Sequence, residues 1–358
     1  MDIFPIALNN SGQVLGSSNG DYFITGPNGS GITKFETLGE SHTIVSDIND
    51  LGQVVGSSEP ANGLFHQAFI SGPNGVGITY LDSRGYGSDA AAINNLGQVA
   101  GEYYTPDEII IIRDNPFITS PNGVDMKDID VSYWSGDVSA INDSGQMVGS
   151  TVGPAFITGP NGMGVTWLDT LGGYHSAAND INDSGQVVGY SFTYHGLWFE
   201  RHAFITGSDG VGMTDLGTLG GNNSEAMGIN DLGEVVGVAF AKDPYEQHSF
   251  IFSHGGITDL SLLDAAVSSG WTNLEVIDIN NNGQIIGSGS LDGVQQGFLL
   301  SYTPDTIFTP IPIFIPPPIP EPENYLMLLT GLGFIGFFAR RKKVVECNTD
   351  KIPEHAPA

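Results

Sequence analysis

The chain has 358 residues, 40% of them hydrophobic, which is enough for a sizeable core and excludes a disordered protein. The formal net charge is −29 at pH 7, and residues 1–303 contain 34 acidic against 6 basic residues, which argues against nucleic acid as a partner. Cys347 is the single cysteine, so residues 1–303 contain no disulfide.

A repeat with the consensus Ile-Asn-Asx-x-Gly-Gln-Val-Val-Gly runs through residues 1–303. Its first glycines are 40 to 50 residues apart. The seven copies begin at Leu8, Ile48, Ile93, Ile141, Ile181, Ile229 and Ile279. A period of this length is typical of supersecondary units that bury their hydrophobic faces against neighbouring copies.

Each repeat contains four short apolar segments separated by turn residues, which predicts four strands, most clearly over residues 176–216. The Asn-Asp-Ser-Gly segment 182–185 is a predicted tight turn, because Asn and Asp tolerate left-handed backbone conformations and Gly accepts positive φ. The third strand has an Ala-Phe-Ile pattern, and Gly-Pro-Asn-Gly turns follow it in several copies. The fourth strand has a Gly-Ile-Thr-x-Leu pattern, as at residues 77–81.

Four strands within 40 to 50 residues predict one blade of a β-propeller, so seven copies predict an all-β, seven-bladed ring over residues 1–303. We expect negligible helix before residue 324 and a buried Phe in each Ala-Phe-Ile strand. A parallel β-helix is the alternative, but its coils are usually shorter and need no four-stranded meander. The repeats resemble the HAF repeat family of secreted bacterial proteins, which implies an extracellular location more firmly than any activity.

The ends of the repeat array differ from its middle. The fourth-strand pattern occurs six times, whereas the first three strands occur seven times. The sequence also starts within a repeat, without the basic and apolar regions of a signal peptide. We therefore expect an upstream segment that supplies the export signal and a strand that closes the ring, and the alternative is an incomplete seventh blade.

Residues 304–319 form a predicted proline-rich linker. Residues 304–322 contain eight prolines, three of them consecutive at Pro316–Pro318. Prolines at this density favour an extended polyproline II conformation of about 3.1 Å per residue. We expect this segment to hold the propeller away from a membrane as a stalk.

Three features follow the linker in a fixed order. They are Pro320-Glu321-Pro322, the uncharged apolar run 325–339, and the basic cluster Arg340-Arg341-Lys342-Lys343. As a single helix the run would rise about 22 Å at about 1.5 Å per residue, less than the roughly 30 Å hydrocarbon core. It therefore predicts a temporary anchor with its basic end in the cytoplasm. Residues 320–343 closely resemble the PEP-CTERM sorting signal of Gram-negative, exopolysaccharide-producing bacteria.

The PEP-CTERM resemblance implies that an exosortase, a membrane transpeptidase-like enzyme, cuts near residues 320–322 and releases or transfers the protein at the cell surface. Residues 325–339 would be the transmembrane helix and the basic cluster its stop. The resemblance implies transient anchoring in the inner membrane and a final place at the cell surface or in an extracellular biofilm matrix. Family members usually end soon after the basic cluster, whereas residues 344–358 here form a predicted cytoplasmic tail.

Three repeats contain the start of a calcium-loop pattern. Asp278 begins an Asp-x-Asn-x-Asn stretch, and Asp47 and Asp180 begin similar ones. Position twelve of such a loop needs a bidentate carboxylate, and here it is Gly289. The pattern favours turn chemistry, with weak Ca²⁺ binding as the alternative and no other cofactor expected.

An aromatic-rich insert lies between strands two and three of the fifth repeat, over residues 190–202. Aromatic faces stack on sugar rings, so the insert is a candidate glycan-binding site, with packing between blades as the alternative. Its candidate residues are Tyr190, Tyr194 and Trp198, and further candidates are Tyr103, Tyr104 and Trp134.

The sequence gives no positive sign of catalysis. His175, His195 and His202 lack the spacing of a common zinc site, and no pair of carboxylates stands out as catalytic. The prediction is therefore an exported, exosortase-sorted protein of the cell surface or exopolysaccharide matrix with a non-catalytic propeller scaffold. The alternatives are a glycan-binding, lectin-like module and, second, a propeller hydrolase or lyase that acts on polysaccharide.

Overall fold

A computed structural model of the chain describes residues 3–313 with short gaps. The gaps are 36–41, 61–62, 64, 83–85, 107–111, 132–135, 196–197, 243–245, 263–269, 304–305 and 308–310. The sorting motif, the apolar run, the basic cluster, the tail and most of the predicted linker lie outside the described residues. The predictions made for those segments therefore stay predictions.

The described residues form seven antiparallel sheets, one for each sequence repeat. The first strands of successive sheets contact one another, and the first strand of sheet 7 contacts that of sheet 1, so the sheets form a closed ring. The fold is a seven-bladed β-propeller. The predicted fold class is confirmed, and a closed ring excludes the parallel β-helix.

The strands of the first four blades follow the chain in order. Blade 1 contains β1 (Ile3–Leu8), β2 (Val14–Ser18), β3 (Asp21–Thr25) and β4 (Ile32–Lys34). Blade 2 contains β5 (Ile44–Ile48), β6 (Val54–Ser58), β7 (Gln67–Ser71) and β8 (Ile78–Tyr80). Blade 3 contains β9 (Ser88–Ile93), β10 (Val99–Pro106), β11 (Ile112–Ser120) and β12 (Val124–Asp128). Blade 4 contains β13 (Gly136–Ile141), β14 (Met147–Thr151), β15 (Phe156–Gly159) and β16 (Met163–Trp167).

The last three blades have longer strands. Blade 5 contains β17 (Gly172–Ile181), β18 (Val187–His195), β19 (Trp198–Thr206) and β20 (Met213–Gly217). Blade 6 contains β21 (Gly220–Ile229), β22 (Val235–Ala241), β23 (Gln247–Ser253) and β24 (Gly256–Asp259). Blade 7 contains β25 (Trp271–Ile279), β26 (Gln284–Leu291), β27 (Val294–Thr303), β28 (Thr306–Ile307) and β29 (Ile311–Pro312).

Helical structure in the described residues is limited to single 3-10 turns after the third strands of blades 1 to 5. These turns are Pro27–Gly29, Pro73–Gly75, Pro121–Gly123, Pro160–Gly162 and Ser208–Gly210. Among the residues that the structure describes, no helix is long and apolar enough to cross a membrane.

Within the described residues, the ring closes without a blade that combines strands from both ends of the chain. Blade 1 contains only β1 to β4, and blade 7 contains only strands from residue 271 onward. The outer strand β29 pairs with Phe298 and Leu299 of β27, and the buried Ile313 donates its N–H to the Gly297 oxygen at 3.1 Å. Residues 311–313, within the predicted linker, thus supply blade 7 with the fourth strand that the sequence pattern did not show.

The hydrophobic core lies between neighbouring blades. Leu15 and Ile24 of blade 1, for example, pack with Val54 and Phe69 of blade 2. The third strands of blades 2 to 7 contribute the fully buried Phe69, Phe117, Phe156, Phe204, Phe250 and Phe298. Each such ring contributes roughly 1.5–3 kcal/mol through burial. The expectation that the phenylalanines of the third strands are buried is confirmed.

The antiparallel order of the strands gives the propeller two different faces. The turns between strands one and two and between strands three and four lie on one face, which we call the turn face. The connections between strands two and three, and those from one blade to the next, lie on the opposite face, which we call the loop face. Residues that recur in every repeat concentrate on the turn face, whereas the loop face has segments of variable length and sequence.

Candidate functional site

The first asparagine of the repeat forms a closed ring of hydrogen bonds on the turn face. Its Nδ2 donates to the backbone oxygen of the equivalent residue in the next blade at 2.9 to 3.3 Å. The members are Asn9, Asn49, Asn94, Asn142, Asn182, Asn230 and Asn280, and Asn280 donates back to Asn9. The Oδ1 atom of each accepts the N–H four residues later, so one side chain fixes both its own turn and the next blade.

The Asx residue that follows forms a second closed ring. Its backbone N–H donates to Oδ1 of the equivalent side chain in the next blade at 2.7 to 3.0 Å. The members are Asn10, Asp50, Asn95, Asp143, Asp183, Asp231 and Asn281. This hydrogen bond requires only an acceptor oxygen on the side chain, and both Asn and Asp provide one, so either residue can occupy the position. Both rings include the junction of blade 7 with blade 1, so side chains close the propeller.

The glycine and glutamine of the repeat connect this turn to the turn after the third strand. The glycine has φ between +69° and +75° in all seven copies, as the sequence predicted. A Cβ on Gly52 would lie 3.0 Å from the backbone of Asn74 in the adjoining turn. Gln13 Nε2 donates to Asn74 Oδ1 of the next blade at 3.4 Å. The recurring residues of the turn face are therefore used in building the ring.

Three partly buried aspartates link pairs of blades at the inner strands. Asp47, Asp180 and Asp278 each accept the N–H of the following residue at 2.7 to 2.8 Å with Oδ1. Their Oδ2 atoms accept the equivalent N–H of the next blade at 2.8 to 3.2 Å. Each carboxylate accepts two hydrogen bonds, so the three together bind six of the seven backbone N–H groups at this position of the repeat. In the stretches that resemble calcium loops, the first aspartate thus joins two neighbouring blades.

Burial raises the pKa of these three carboxyl groups. It raises the pKa of Asp47 to about 6 and that of Asp278 to about 7, with the Asp47 charge adding to the second shift. The pKa of Asp180 is also well above its ordinary value, through burial first and the Asp278 charge second. The two backbone N–H groups at each carboxylate favour the charged form but do not offset the loss of hydration.

A cavity of about 180 Å³ opens at the centre of the turn face, lined by residues of the two rings and by Asp47, Asp180 and Asp278. Within the described parts of the chain, no group of three or more His, Cys, Asp or Glu side chains has an arrangement that could hold a metal ion.

The aromatic insert predicted from sequence extends blade 5 beyond the loop face. Its strands β17, β18 and β19 have 10, 9 and 9 residues, against 6, 5 and 4 for the equivalent strands of blade 4. Tyr174 stacks on Phe192 at 5.4 Å and 7°, and Tyr190 lies edge-on to Phe192 at 6.1 Å. Tyr174 and Tyr194 are 62% and 66% exposed. We call this set, with Arg201, the blade 5 surface.

Arg201 and His175 add polar groups to the blade 5 surface. Arg201 places its guanidinium carbon 4.7 Å from the Tyr190 ring centre and forms an ion pair with Glu225 at 3.1 Å. The His175 ring stacks on Tyr190 at 5.9 Å, and its buried Nδ1 atom makes no hydrogen bond. Sequence reasoning did not identify Tyr174 as a partner of Phe192 or His175 as a partner of Tyr190, because these contacts depend on the register between β17 and β18.

The other candidates named from sequence have different surroundings. Tyr103 is buried in the core between blades 2 and 3, so it is not available to a ligand. His202 pairs with Asp215 at 2.8 Å. Trp134, the side chains of His195 and Trp198, and all the sorting residues lie outside the described part of the structure.

Comparisons with known proteins support the fold. No protein-family model and no curated protein matches the sequence. One similar solved structure is the β-propeller domain of the trilobed protease from Pyrococcus furiosus, which is described as having an open velcro topology. It is 10% identical in sequence, with a TM-score of 0.52, and the match covers 75% of this chain and 85% of that one. A chain of the mitotic checkpoint complex matches at 12% identity and 0.50, over 83% and 86%.

A third solved structure, a puromycin hydrolase variant, matches at 10% identity and a TM-score of 0.50, and it covers 84% of this chain but 50% of that one. The likeness shows the fold alone. Because propellers host many unrelated functions, the activity has to be argued from the surfaces of this chain.

Proposed function

We propose that this chain is an exported protein that an exosortase sorts to the cell surface or the exopolysaccharide matrix, where the propeller is a non-catalytic scaffold. The observation that supports sorting most strongly is the order of Pro320-Glu321-Pro322, the apolar run 325–339 and the basic cluster 340–343. The inner membrane holds the protein only until the exosortase acts.

The structure of the turn face supports a scaffold role. The residues that recur in all seven repeats make hydrogen bonds within and between blades, so their recurrence is explained by architecture. Sequence variation is left to the loop face, which is where loops on a rigid frame usually contact partners.

Replacing Pro320, Glu321 and Pro322 with Ala should leave the protein uncut in the inner membrane. This change removes the recognition element and keeps the apolar run and its basic stop. Membrane fractionation of the native host, with an antibody to the propeller, measures the result. As a control, Pro316, Pro317 and Pro318 changed to Ala should be sorted like the wild type, and equal retention of both variants would contradict the proposal.

A glycan-binding role is the second candidate, and the blade 5 surface is the observation in its favour. Stacked, exposed tyrosines beside a guanidinium offer apolar ring faces and hydrogen-bond donors, the groups that a sugar ring needs from a protein. Tyr190 lies within this set, and Tyr194 is its most exposed member.

Binding of the producer's own polysaccharide should weaken about tenfold in Tyr174→Ala and in Tyr194→Ala, which corresponds to about 1.4 kcal/mol. Each change removes one ring face and no buried group. Leu232→Ala is the control, because Leu232 is 76% exposed on the turn face. Affinity electrophoresis in gels that contain the polysaccharide measures the difference, and equal mobility of all three variants would remove this candidate.

A further inference from the structure

A second aromatic surface lies on the loop face where blades 2 and 3 meet. Phe65 lies in the connection between β6 and β7, and Tyr86 lies in the connection between β8 and β9. Their ring centres are 5.1 Å apart, and the rings are tilted by 59°. Phe65 is 41% and Tyr86 is 47% exposed. The two rings therefore present a tilted pair of faces to solvent.

Backbone hydrogen bonds hold this pair in place. Tyr86 donates its N–H to the Tyr104 oxygen at 2.9 Å, and Tyr104 donates its N–H to the Gly87 oxygen at 3.0 Å. Ser88 donates its N–H to the His66 oxygen at 3.1 Å, which joins the two connections. An aromatic pair fixed in this way loses little conformational freedom when a ligand binds.

A carboxylate lies next to His66, the residue that follows Phe65 in the chain. Asp89 accepts a hydrogen bond from the Tyr104 hydroxyl, and His66 Nε2 lies 3.2 Å from Asp89 Oδ2. Burial, followed by the hydrogen bond to Asp89, raises the pKa of Tyr104, so its hydroxyl keeps its proton and acts as the donor. The Asp89 side chain is 32% exposed, which leaves it open to a ligand.

Further carboxylates surround Asp89. Glu102 is its partner across β9 and β10, Asp114 is opposite Tyr104 across β10 and β11, and Asp137 lies on the first strand of blade 4. Burial raises the pKa of Glu102 to about 8, and the charges of Asp137, Asp89 and Asp114 add to the shift. Glu102 is therefore protonated at pH 6, and the negative potential of this region comes from Asp89, Asp114 and Asp137, which favours a cationic ligand.

We propose that Phe65, His66, Tyr86 and Asp89, which we call the blade 2–3 surface, bind an ammonium-bearing sugar of an amino-sugar polysaccharide. Aromatic faces attract an ammonium group and pack against the apolar face of a pyranose ring. A carboxylate accepts charge-assisted hydrogen bonds from the same ammonium group. The inference rests on the proposed place of the protein in an exopolysaccharide matrix and names the class of polysaccharide.

The net charge of the protein, and the difference between the blade 5 surface and the blade 2–3 surface, favour an ammonium-bearing sugar as the ligand. A net charge of −29 repels anionic polysaccharides and attracts cationic ones. The blade 5 surface contains the guanidinium of Arg201, whereas the blade 2–3 surface is built around Asp89. An ammonium group is therefore expected to bind at the blade 2–3 surface rather than at the blade 5 surface.

Calorimetry with a glucosamine hexasaccharide at pH 6 and 0.15 M salt tests the proposal on the full chain in detergent. We expect binding that is at least tenfold tighter than that of the N-acetylated hexasaccharide, which has no ammonium groups. Tyr86→Ala, Phe65→Ala and Asp89→Asn should each weaken it about tenfold or more. Tetralysine, a cation without sugar rings, should bind at least tenfold more weakly than the hexasaccharide.

Asp209→Asn is the matched control for Asp89→Asn. It removes one negative charge on the turn face, and Asn occupies the equivalent position in blades 1 to 4, so the fold accepts it. This variant should bind as the wild type does. Equal losses in Asp209→Asn and Asp89→Asn would show general charge attraction and overturn the proposal.

The remaining outcomes separate this inference from the proposed function. Equal binding of the N-acetylated sugar, or equal binding of tetralysine, would overturn recognition of an amino sugar. Loss of binding in Tyr194→Ala but not in Tyr86→Ala or Phe65→Ala would place the sugar on the blade 5 surface and contradict the inference while glycan binding stands. If the wild type binds no hexasaccharide but is sorted normally, the inference fails and the sorting proposal survives.

Discussion

The protein is expected to resist urea better at pH 5 than at pH 8. Asp47, Asp180 and Asp278 have pKa values raised by burial in the folded state, so the folded chain binds more protons than the unfolded chain at neutral pH. Their contribution to the free energy of unfolding is full below the ordinary carboxyl pKa of about 4 and is lost as the pH rises through 6 and 7. For Asp47 alone the full contribution is about 3 kcal/mol, of which about 1.4 kcal/mol is lost between pH 5 and pH 8.

Urea unfolding at pH 5 and pH 8, followed by far-UV circular dichroism, measures this pH dependence. Asp47→Asn should reduce the difference between the two pH values, because Asn does not titrate. Asp50→Asn is the control, since Asn takes the same place in the second ring in blades 1, 3 and 7. A protein that is equally stable at both pH values, or an Asp50→Asn variant that loses as much pH dependence as Asp47→Asn, would contradict the account of the inner strands.

Gly56→Ala is expected to lower the free energy of unfolding by about 4 kcal/mol or more. Gly56 is the last glycine of the repeat, and a Cβ there would lie 2.0 Å from the Ile44 oxygen of the inner strand. The clash is with backbone, so relief requires the inner strand to move. That movement would also pull Asp47 away from the amides it joins.

Gly256→Ala is the matched control for this substitution. No atom lies within 4 Å of the position its Cβ would occupy, and its φ is not positive. Its effect on the free energy of unfolding should stay within about 0.5 kcal/mol. Urea titrations at pH 6 measure the unfolding midpoints of the two variants. Similar midpoints would contradict the expected clash between a Cβ at position 56 and the inner strand.

The sequence predicted the blades well because each blade is a local unit. The repeat period, the turn residues and the apolar strands all lie within 50 residues, so they could be interpreted without knowledge of the ring. The fourth strand of blade 7 could not be predicted in this way. It is short, at residues 311–313, and its proline-rich surroundings indicated a linker.

The contacts between blades were less accessible to sequence reasoning. Asn9 donates to residue 49, and Asn280 donates back to Asn9, and no local pattern indicates such partners. Asp47 and its equivalents resembled calcium ligands because an Asp before an Asn-rich turn is common to both uses.

One of the two candidate binding surfaces could be predicted from the sequence, and the other could not. Tyr190 was predicted because aromatic residues are dense in one insert. Phe65 and Tyr86 were not, because they lie 21 residues apart in connections that have no repeat pattern. Their proximity follows from the packing of blade 2 against blade 3.

The most direct test of sorting is the mass of the wild-type protein recovered from the surface of its native host. Cleavage near Pro320-Glu321-Pro322 predicts a chain that ends close to these residues and lacks every peptide from the apolar run 325–339 to the tail. Intact mass measurement combined with peptide mapping of the C-terminal region gives the end point. Surface protein that still contains residues 344–358 would contradict cleavage and leave the apolar run as an anchor only.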